Sequence, residues 1–310
     1  MGLGSVGGFV VESSQPNLLS RSRWLVLLAA LMWSMSGLFA KAPIFSDWPI
    51  ESRGALLAFW RTLFAGLCLV PFIRKPTWTW WLVPATVLFA IMSVTYMYAM
   101  TKTTAANAIW LQQTAPLWVF VIGATVFHEP IQRSDWTMLV SVICGVGTIV
   151  FFEVRNAELD QSSLQGVVLG LVSGFFYASV VLSVRALRRL DSAWLISLNH
   201  LVTAVLLLPY ILYLGIWPSG GQVSWLAAFG VFQMGIPYLL FAKGVKHMPG
   251  HQASFIVLLE PILVPFWVWL AWHQHPGYQT PAWWTFLGAG MILFGLIIRF
   301  GLDRNRARQK

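Results

Sequence analysis

The sequence alternates between long apolar stretches and short polar connections, and this pattern limits the folds that the chain can adopt. Each stretch is about 20 residues long, the length that a helix needs to cross the hydrocarbon core of a bilayer. A helix also bonds its backbone N–H and C=O groups internally, as lipid requires. The sequence therefore predicts an all-α integral membrane protein with ten transmembrane helices. We place them at residues 24–41, 54–73, 78–100, 104–127, 133–152, 164–187, 193–214, 224–243, 250–272 and 281–300.

The composition favours the same class. Of the 310 residues, 57% are hydrophobic and 10% are charged, whereas soluble proteins contain about 25% charged residues. The net charge of +9 does not indicate a nucleic-acid partner, because the basic residues form no basic, aromatic-rich face. Cys68 and Cys144 lie within apolar stretches and indicate no disulfide framework. The sequence lacks ATP-binding, zinc-protease and serine-hydrolase motifs, so we expect no catalytic residue, cofactor or metal.

The distribution of Lys and Arg predicts the orientation, because these residues are retained on the cytoplasmic side of a membrane. With ten spans, one side of the membrane collects Arg21, Arg23, Arg74, Lys75, Arg133, Arg185, Arg188, Arg189, Lys243, Lys246, Arg299, Arg304, Arg306, Arg308 and Lys310. The opposite side has only Lys41, Arg53, Lys102 and Arg155. We therefore expect an inner (plasma) membrane protein with both termini in the cytoplasm.

The first span has an alternative interpretation as a signal peptide. Arg21 and Arg23 precede an apolar run that ends at Ala40-Lys41-Ala42, which resembles a cleavage site. The run is longer than the apolar region of about 7–15 residues in a signal peptide. We therefore interpret it as a retained first helix.

A shift of 145 residues superposes the two halves of the pattern. The shift pairs Pro116 with Pro261 and also matches Ala108 with Ala253, His128 with His273 and Gly145 with Gly290. Five spans align with five spans, and an odd number per half forces the second half to insert in the opposite direction. We expect a flexible cytoplasmic tail at 1–20, inverted five-helix repeats at 21–155 and 156–302, and a basic cytoplasmic tail at 303–310.

Three segments resemble the drug/metabolite transporter superfamily, specifically a pair of EamA-type repeats. They are Ala29-Ala30-Leu31-Met32-Trp33-Ser34, Thr114-Ala115-Pro116 with His128-Glu129 after it, and Leu259-Glu260-Pro261. The resemblance covers nearly all of residues 24–300. It implies a ten-helix permease with a central cavity that carries amino acids, other small metabolites or drugs, and it does not fix the substrate. The chain departs from the family pattern at His273-Gln274, where the family has an acidic residue as in His128-Glu129.

Glu260 is the strongest candidate for a substrate-binding residue. It lies about 15 Å into its helix from Gly250, near the bilayer centre, where a carboxylate is costly unless it has a partner. It could bind a substrate ammonium or a coupling proton. The alternative is a structural glutamate that is hydrogen-bonded to neighbouring helices.

Pro116 and Pro261 each remove a backbone donor and predict helix breaks, which free the carbonyls of Gln112 and Val257. Paired breaks in corresponding helices indicate a binding site where two repeats meet. The alternative is a kink that serves packing alone.

The other candidates are polar or aromatic residues within the spans. As substrate-binding residues we select Trp33, Tyr96, Trp110, Gln113, Tyr177, Gln233 and Phe255, in addition to Glu260. Asn107 and Gln252 are gating candidates, although interhelical contacts are the simpler role for both. We expect Arg61 to extend toward the outer surface or to form a structural pair, with an anion contact as the alternative.

These observations favour a secondary transporter that moves an amino acid or a related amphipathic compound, with export favoured. Protons are the coupling ion considered, and the protein is expected to be a monomer or a homodimer in the lipid bilayer. The alternatives are a passive facilitator or lipid flippase with the same fold, and a membrane enzyme that modifies lipids. An enzyme would use a cluster such as His128, Glu129, Arg133 and Asp135, which we interpret as a loop between two helices.

Overall fold

The computed structural model describes residues 16–126, 128, 133–156, 161–248 and 250–307, and their regular elements are all helices. These described residues form fourteen α-helices, in this order: α1 Pro16–Trp33, α2 Ser36–Ala40, α3 Ile50–Leu69, α4 Leu82–Lys102, α5 Ala105–Gln112, α6 Ala115–Thr125, α7 Arg133–Arg155, α8 Gln161–Ala186, α9 Ser192–Leu214, α10 Gly220–Ala228, α11 Ile236–Gly244, α12 Gly250–Val257, α13 Leu259–Trp272 and α14 Trp283–Ala307. A π-helix, Phe229–Gly235, joins α10 to α11. Short 3₁₀ helices occupy Pro43–Phe45, Val70–Phe72 and Val245–His247.

The helices account for all ten predicted spans. Eight helical segments are long and apolar enough to cross a membrane, and Trp283–Arg299 is a shorter apolar helix. The remaining span consists of α5 and α6 together. An all-α integral membrane protein is therefore confirmed. The ends differ from the expected boundaries, because α1 begins within the segment assigned to the N-terminal tail and α14 continues to Ala307. Glu129 lies outside the described residues.

Hydrogen bonds at one end of the bundle join the start of α1 to the start of α12. We call this the terminal end, because α1 begins and α14 ends there. Arg23 Nη2 donates to Gln252 Oε1 at 3.3 Å. The backbone N–H of Arg74, after α3, donates to Asp191 Oδ2 at 3.0 Å, just before α9.

The opposite end, which we call the distal end, joins the other set of helix ends. Lys41 Nζ, after α2, donates to the Thr103 carbonyl at 2.7 Å, after α4. Gln222 Nε2, at the start of α10, donates to the Ile44 carbonyl at 2.7 Å. These contacts fit spans that alternate in direction, so the first span runs from the terminal to the distal end and α8 runs the opposite way.

Each helix contact between the two halves has a counterpart in which the halves exchange roles. The first half comprises α1–α7 and the second α8–α14. Each second span packs against the other, α3 on α9, and each last span does so too, α7 on α14. The contact of α4 with α8 has its counterpart in the contact of α11 with α1. Five crossings per half place equivalent helices in opposite directions, which is the inverted arrangement that the span count predicts.

Four spans are interrupted. The breaks at Gln113–Thr114 and at Leu258 each lie just before a proline, and that proline falls in the first turn of the following helix, where its missing N–H costs no intrahelical hydrogen bond. A third break, at Ser34–Met35, contains no proline and was not predicted. The π-helix Phe229–Gly235 interrupts the eighth span. The segments beside these breaks contact one another, since α13 packs on α2 and α5, and α2 packs on the π-helix.

Candidate functional site

Arg61 lies at the centre of the interrupted helices. It is about 16 Å from either end of the span Ile50–Phe72 and is 2% exposed. Its Nη2 donates to Ser93 Oγ at 2.8 Å, and its guanidinium lies 5.3 Å from the centroid of the Phe229 ring. Its Nε is buried and has no acceptor within the part of the chain that the structure describes. The expectation that Arg61 extends toward the outer surface is therefore wrong, because these contacts hold its side chain at mid-depth.

The π-helix brings Phe229 to Arg61 through a close backbone approach. A Cβ on Gly230 would lie 2.6 Å from the Arg61 carbonyl oxygen and 2.6 Å from Phe64 Cβ. Only glycine fits this contact, so the wide turn of the π-helix lies directly on α3. Such π-helical turns are frequent at functional sites.

His200 lies in α9, which packs on α3, and was not selected from the sequence. It is 0% exposed, and neither ring nitrogen has a hydrogen-bond partner among the described residues. Its ring centroid is 4.8 Å from that of Phe89 and 5.9 Å from that of Tyr238, and it is within electrostatic range of Arg61. A buried imidazole without partners is costly. The sequence feature that could have identified His200 is an ionisable residue inside the apolar helix α9.

Glu260 occupies the first turn of α13 and is partly buried. Among the described residues, no hydrogen bond or ion pair to its carboxylate is found. The helix dipole favours a negative charge at this position. Tyr96, Tyr177 and Tyr238 all lie within electrostatic range of the carboxylate. A purely structural glutamate would need a hydrogen-bond partner, and the described part of the chain provides none for the Glu260 carboxylate.

Aromatic and amide side chains contact one another around the break at Ser34–Met35. Tyr96 Oη is 3.0 Å from Ser36 Oγ, beside the break at Ser34–Met35. The Trp33 ring centroid is 5.1 Å from that of Tyr238. Gln233, in the π-helix, donates through Nε2 to the Trp33 carbonyl at 3.0 Å, and its Oε1 is buried without a donor. We define the central cluster as Trp33, Arg61, Ser93, Tyr96, Tyr177, His200, Phe229, Gln233, Tyr238 and Glu260.

Some of the predicted binding residues lie elsewhere. Trp110 belongs to the hydrophobic core toward the distal end. Gln113 is buried at the first break. Phe255 is 51% exposed and makes no ring contact with another described aromatic residue.

The two gating candidates make interhelical contacts at opposite ends. Asn107 donates to Glu153 Oε1 at 2.7 Å and accepts from Thr285 Oγ1 at 2.7 Å, which links α5 to α7 and α14. Gln252 accepts from Arg23 and links α12 to α1.

Tryptophan side chains close the distal side of the central cluster. Trp267 Nε1 donates to Ser34 Oγ at 2.8 Å, Trp272 Nε1 to the Leu38 carbonyl at 3.0 Å and Trp225 Nε1 to the Phe39 carbonyl at 3.2 Å. We call these three residues the indole clamp. They attach α13 and α10 of the second half to the broken first span.

Side-chain exposure differs on the two sides of the first proline break, at Gln113–Thr114. Residues 105–115, on the distal side, are all buried, whereas residues 116–122, toward the terminal end, are all partly exposed. Beyond the clamp, the distal surface has shallow cavities of about 40 and 150 Å³, the larger of which Lys41, Arg53 and His275 line together with other residues.

Comparison with known proteins places this geometry in a family. The model of the EamA-like transporter family matches residues 21–151 and again residues 164–301. An uncharacterized transporter of Archaeoglobus fulgidus is 28% identical over 247 residues, covering 78% of this chain and 85% of that protein. The pseudopaline exporter CntI of Pseudomonas aeruginosa is 25% identical over 201 residues, covering 63% of this chain and 68% of the exporter.

A solved crystal structure shares the fold, with a TM-score of 0.62 at 17% identity, over 92% of this chain and 99% of the other. The family and the names of the relatives indicate a membrane transporter rather than an enzyme. Because the family model covers both halves, the chain belongs to the EamA-like transporter family.

Proposed function

We propose that the protein is a secondary transporter of a small amphipathic metabolite of amino-acid type, which binds at the central cluster and crosses by alternating access. The observation that carries this proposal is the presence of Arg61 and Glu260 beside helix breaks, at mid-depth, with no ion pair to either among the described residues. Charged groups at this depth are costly and typically mark a substrate or ion pathway. Interrupted helices at the meeting of inverted repeats provide the backbone groups for such a site.

The difference between the two ends supports an alternating-access cycle. The indole clamp and the buried α5 close the route to the distal end, while the residues after the first break are partly exposed. In our proposal this is the state in which the site opens toward the terminal end. Opening toward the distal end then requires the clamp to separate from the first span.

The protein lies in the inner (plasma) membrane with both termini in the cytoplasm, and export is the favoured direction of transport. The Lys and Arg distribution supports the orientation, and a relative named as an exporter supports the direction. Reporter fusions after Lys75 and Arg189 should then report cytoplasm, and fusions near Asp47 and Gly221 the outer side. An outward location of both Lys75 and Arg189 would overturn the orientation.

The direct test is counterflow in proteoliposomes loaded with a pool of amino acids and other metabolites, without ATP. We expect labelled substrate to accumulate by exchange. A proton-coupled cycle would in addition respond to an imposed pH gradient. If no solute exchanges while the protein translocates or modifies a lipid, the flippase or the enzyme alternative replaces this proposal.

A further inference from the structure

Two connections at the terminal end, one between α3 and α4 and the other between α8 and α9, are held together by hydrogen bonds. The backbone N–H groups of Arg74 and Lys75 both donate to Asp191 Oδ2, at 3.0 and 3.2 Å. The indole N–H of Trp194 donates to the Thr77 carbonyl at 3.0 Å. The two connections therefore form one continuous surface, although they are far apart in the sequence.

A small apolar cluster beneath this surface decides which side chains face outward. Leu82 at the start of α4, Leu187 after α8 and Leu195 in α9 are buried in it. The residues next to them in the sequence are exposed, since Trp81 precedes Leu82 and Arg188 follows Leu187. Burial of the leucines thus presents an indole and a guanidinium on the outer side of the same cluster.

Three tryptophan side chains lie exposed where α4 begins. Trp78, Trp80 and Trp81 are 64%, 75% and 70% exposed, and within the described part of the chain none of them has a ring contact or an acceptor for its indole N–H. They immediately precede Leu82, the first residue of a membrane-spanning helix. An indole combines an apolar ring with a polar N–H and is favoured where hydrocarbon meets lipid headgroups. The position of these residues therefore places them at headgroup level.

Four exposed cations belong to the same surface. The side chains of Arg74, Lys75, Arg188 and Arg189 form no hydrogen bond or ion pair with any described residue. Arg189 is two residues from Asp191, so its Cα lies within about 8 Å of the Asp191 Cα. The Asp191 carboxylate does not neutralise the cations, because backbone N–H groups donate to both of its oxygens. An excess of positive charge therefore remains beside the three indoles.

The corresponding connection in the second half lacks this character. A shift of 145 residues places Ser219 and Gly220 opposite Arg74 and Lys75, and residues 215–219 between α9 and α10 contain no Lys or Arg. The combination of cations and exposed indoles is thus a property of one end of the bundle and not of the repeat.

We propose that this surface, residues 74–81 with Arg188 and Arg189, binds the headgroup of an anionic phospholipid. We call it the interfacial patch. Clusters of basic residues beside transmembrane helices favour anionic headgroups, and a guanidinium fork fits two phosphate oxygens. The indoles contact the glycerol region of the same lipid. The charge favours an anion, and the start of a span beside the tryptophans favours a lipid over a soluble acidic partner. The inference goes beyond solute transport and does not depend on it.

The test compares two lipids with the same acyl chains and different net charge. Binding of dioleoylphosphatidylglycerol and dioleoylphosphatidylcholine is measured by native mass spectrometry on the full chain purified in detergent. We expect the first molecule of phosphatidylglycerol to bind at least about tenfold more tightly, because each Lys or Arg near an anionic headgroup contributes a severalfold factor.

Substitutions separate a defined site from general attraction to positive charge. Arg188→Gln combined with Arg189→Gln should reduce the preference for phosphatidylglycerol to below about threefold, with little change in thermal stability. Lys243→Gln combined with Lys246→Gln removes two exposed cations from the same end of the bundle and is the matched control. It should retain the preference.

Two further variants keep the inference testable. Should the double arginine variant fail to fold, Arg74→Gln combined with Lys75→Gln should lower the preference in the same way, since the backbone bonds to Asp191 remain. Trp80→Leu removes an indole but no charge, so it should weaken the binding of both lipids by a similar factor.

Several outcomes overturn the inference. They are equal binding of the two lipids to the wild type, and an equal loss of preference in the arginine variant and in the lysine control. Displacement of phosphatidylglycerol by the same concentration of inorganic phosphate would indicate a site for a free anion instead. Displacement by a hexaglutamate peptide would indicate an acidic protein partner. A failure of counterflow would leave the inference unaffected, because the measurement involves no transport.

Discussion

The two proline breaks interrupt corresponding helices in the same way, but the side chains around them differ. At the first break, Gln113 and Thr114 are buried, and the Thr114 hydroxyl donates to the Leu111 carbonyl at 2.8 Å. Gly174 of α8 packs directly onto this turn. At the second break, Glu260 occupies the position that Ala115 has in the first half, and its carboxylate has no partner among the described residues.

The difference shows that the two repeats share a backbone conformation, whereas the residues that differ between them determine the polar character of each break. One break is filled by packing against α8, while the other presents a charge to the central cluster. The same asymmetry continues along the following helices, because α13 carries Trp267 of the indole clamp where α6 carries Ile122.

The largest expected effect comes from removing the charge at the second break. Hydrogen bonds to a charged group contribute about 1.5–3 kcal/mol, so Glu260→Gln should slow substrate exchange roughly ten- to one-hundredfold. The measurement is counterflow on protein with wild-type thermal stability. Glu153→Gln is the matched control, since Glu153 holds Asn107 and Trp284 at the distal end and should affect stability more than exchange. Wild-type exchange in Glu260→Gln would show that the two breaks do not differ in function.

Filling the space at the first break should act on stability instead. In Gly174→Ala, the new methyl group would lie 2.9 Å from the Leu111 carbonyl oxygen and closer still to the Thr114 hydroxyl. Overpacking of this kind costs about 1–3 kcal/mol, so thermal unfolding in detergent should occur at a lower temperature. Gly147→Ala on α7 meets no atom within 4 Å and serves as the control. Equal stability of the two variants would contradict the tight packing of this break.

Loosening the indole clamp should shift the conformational equilibrium. Trp272→Phe keeps an aromatic ring but removes the hydrogen bond to the Leu38 carbonyl, which contributes about 1 kcal/mol. In a background without Cys68 and Cys144, a cysteine at Ser36 should then react roughly fivefold faster with a membrane-impermeant maleimide added from the distal side. Trp217→Phe, at an exposed position, should leave the rate unchanged. An unchanged rate in Trp272→Phe would exclude a gating role for this bond.

The smallest effect is expected away from both breaks, at the terminal end. Burial alone would raise the pKa of Asp191, but the backbone N–H groups of Arg74, Trp194, Lys75 and Ala193 donate to its carboxylate and lower the pKa overall. A lowered pKa means that the stabilisation is present above the ordinary value of 3.8 and is lost as the pH falls through the lower folded value. Asp191→Ala should therefore destabilise the protein by about 1 kcal/mol at neutral pH.

The pH dependence of the stability difference between Asp191→Ala and the wild type tests this prediction. Thermal unfolding of Asp191→Ala and of the wild type should converge at acid pH, while substrate affinity stays the same in both at neutral pH. A change in affinity would show that this helix start is coupled to the central cluster.

The sequence predicted several elements of the central cluster, namely Trp33, Tyr96, Tyr177, Gln233 and Glu260, because polar and aromatic residues are conspicuous inside apolar spans. It missed Ser93, His200, Phe229 and Tyr238, and of its alternatives for Arg61 the extension toward the outer surface was wrong. Whether a side chain within a span faces lipid, a neighbouring helix or the centre depends on the rotation of its helix. Phe255, selected by the same criterion as Trp33, lies at an exposed position for that reason.

The number of spans and the proline breaks followed from the sequence by itself, because span length and the missing proline N–H are local properties. The inverted arrangement followed as well, since an odd number of crossings per half leaves no other insertion. The break at Ser34–Met35 and the π-helix at Phe229 were decided only by the tertiary structure. Both depend on contacts between distant segments, such as the indole of Trp267 on Ser34 and the packing of Gly230 on α3. The meeting of Arg61, His200 and Glu260 has the same origin, since three separate helices must pack in one orientation before their polar side chains share a site.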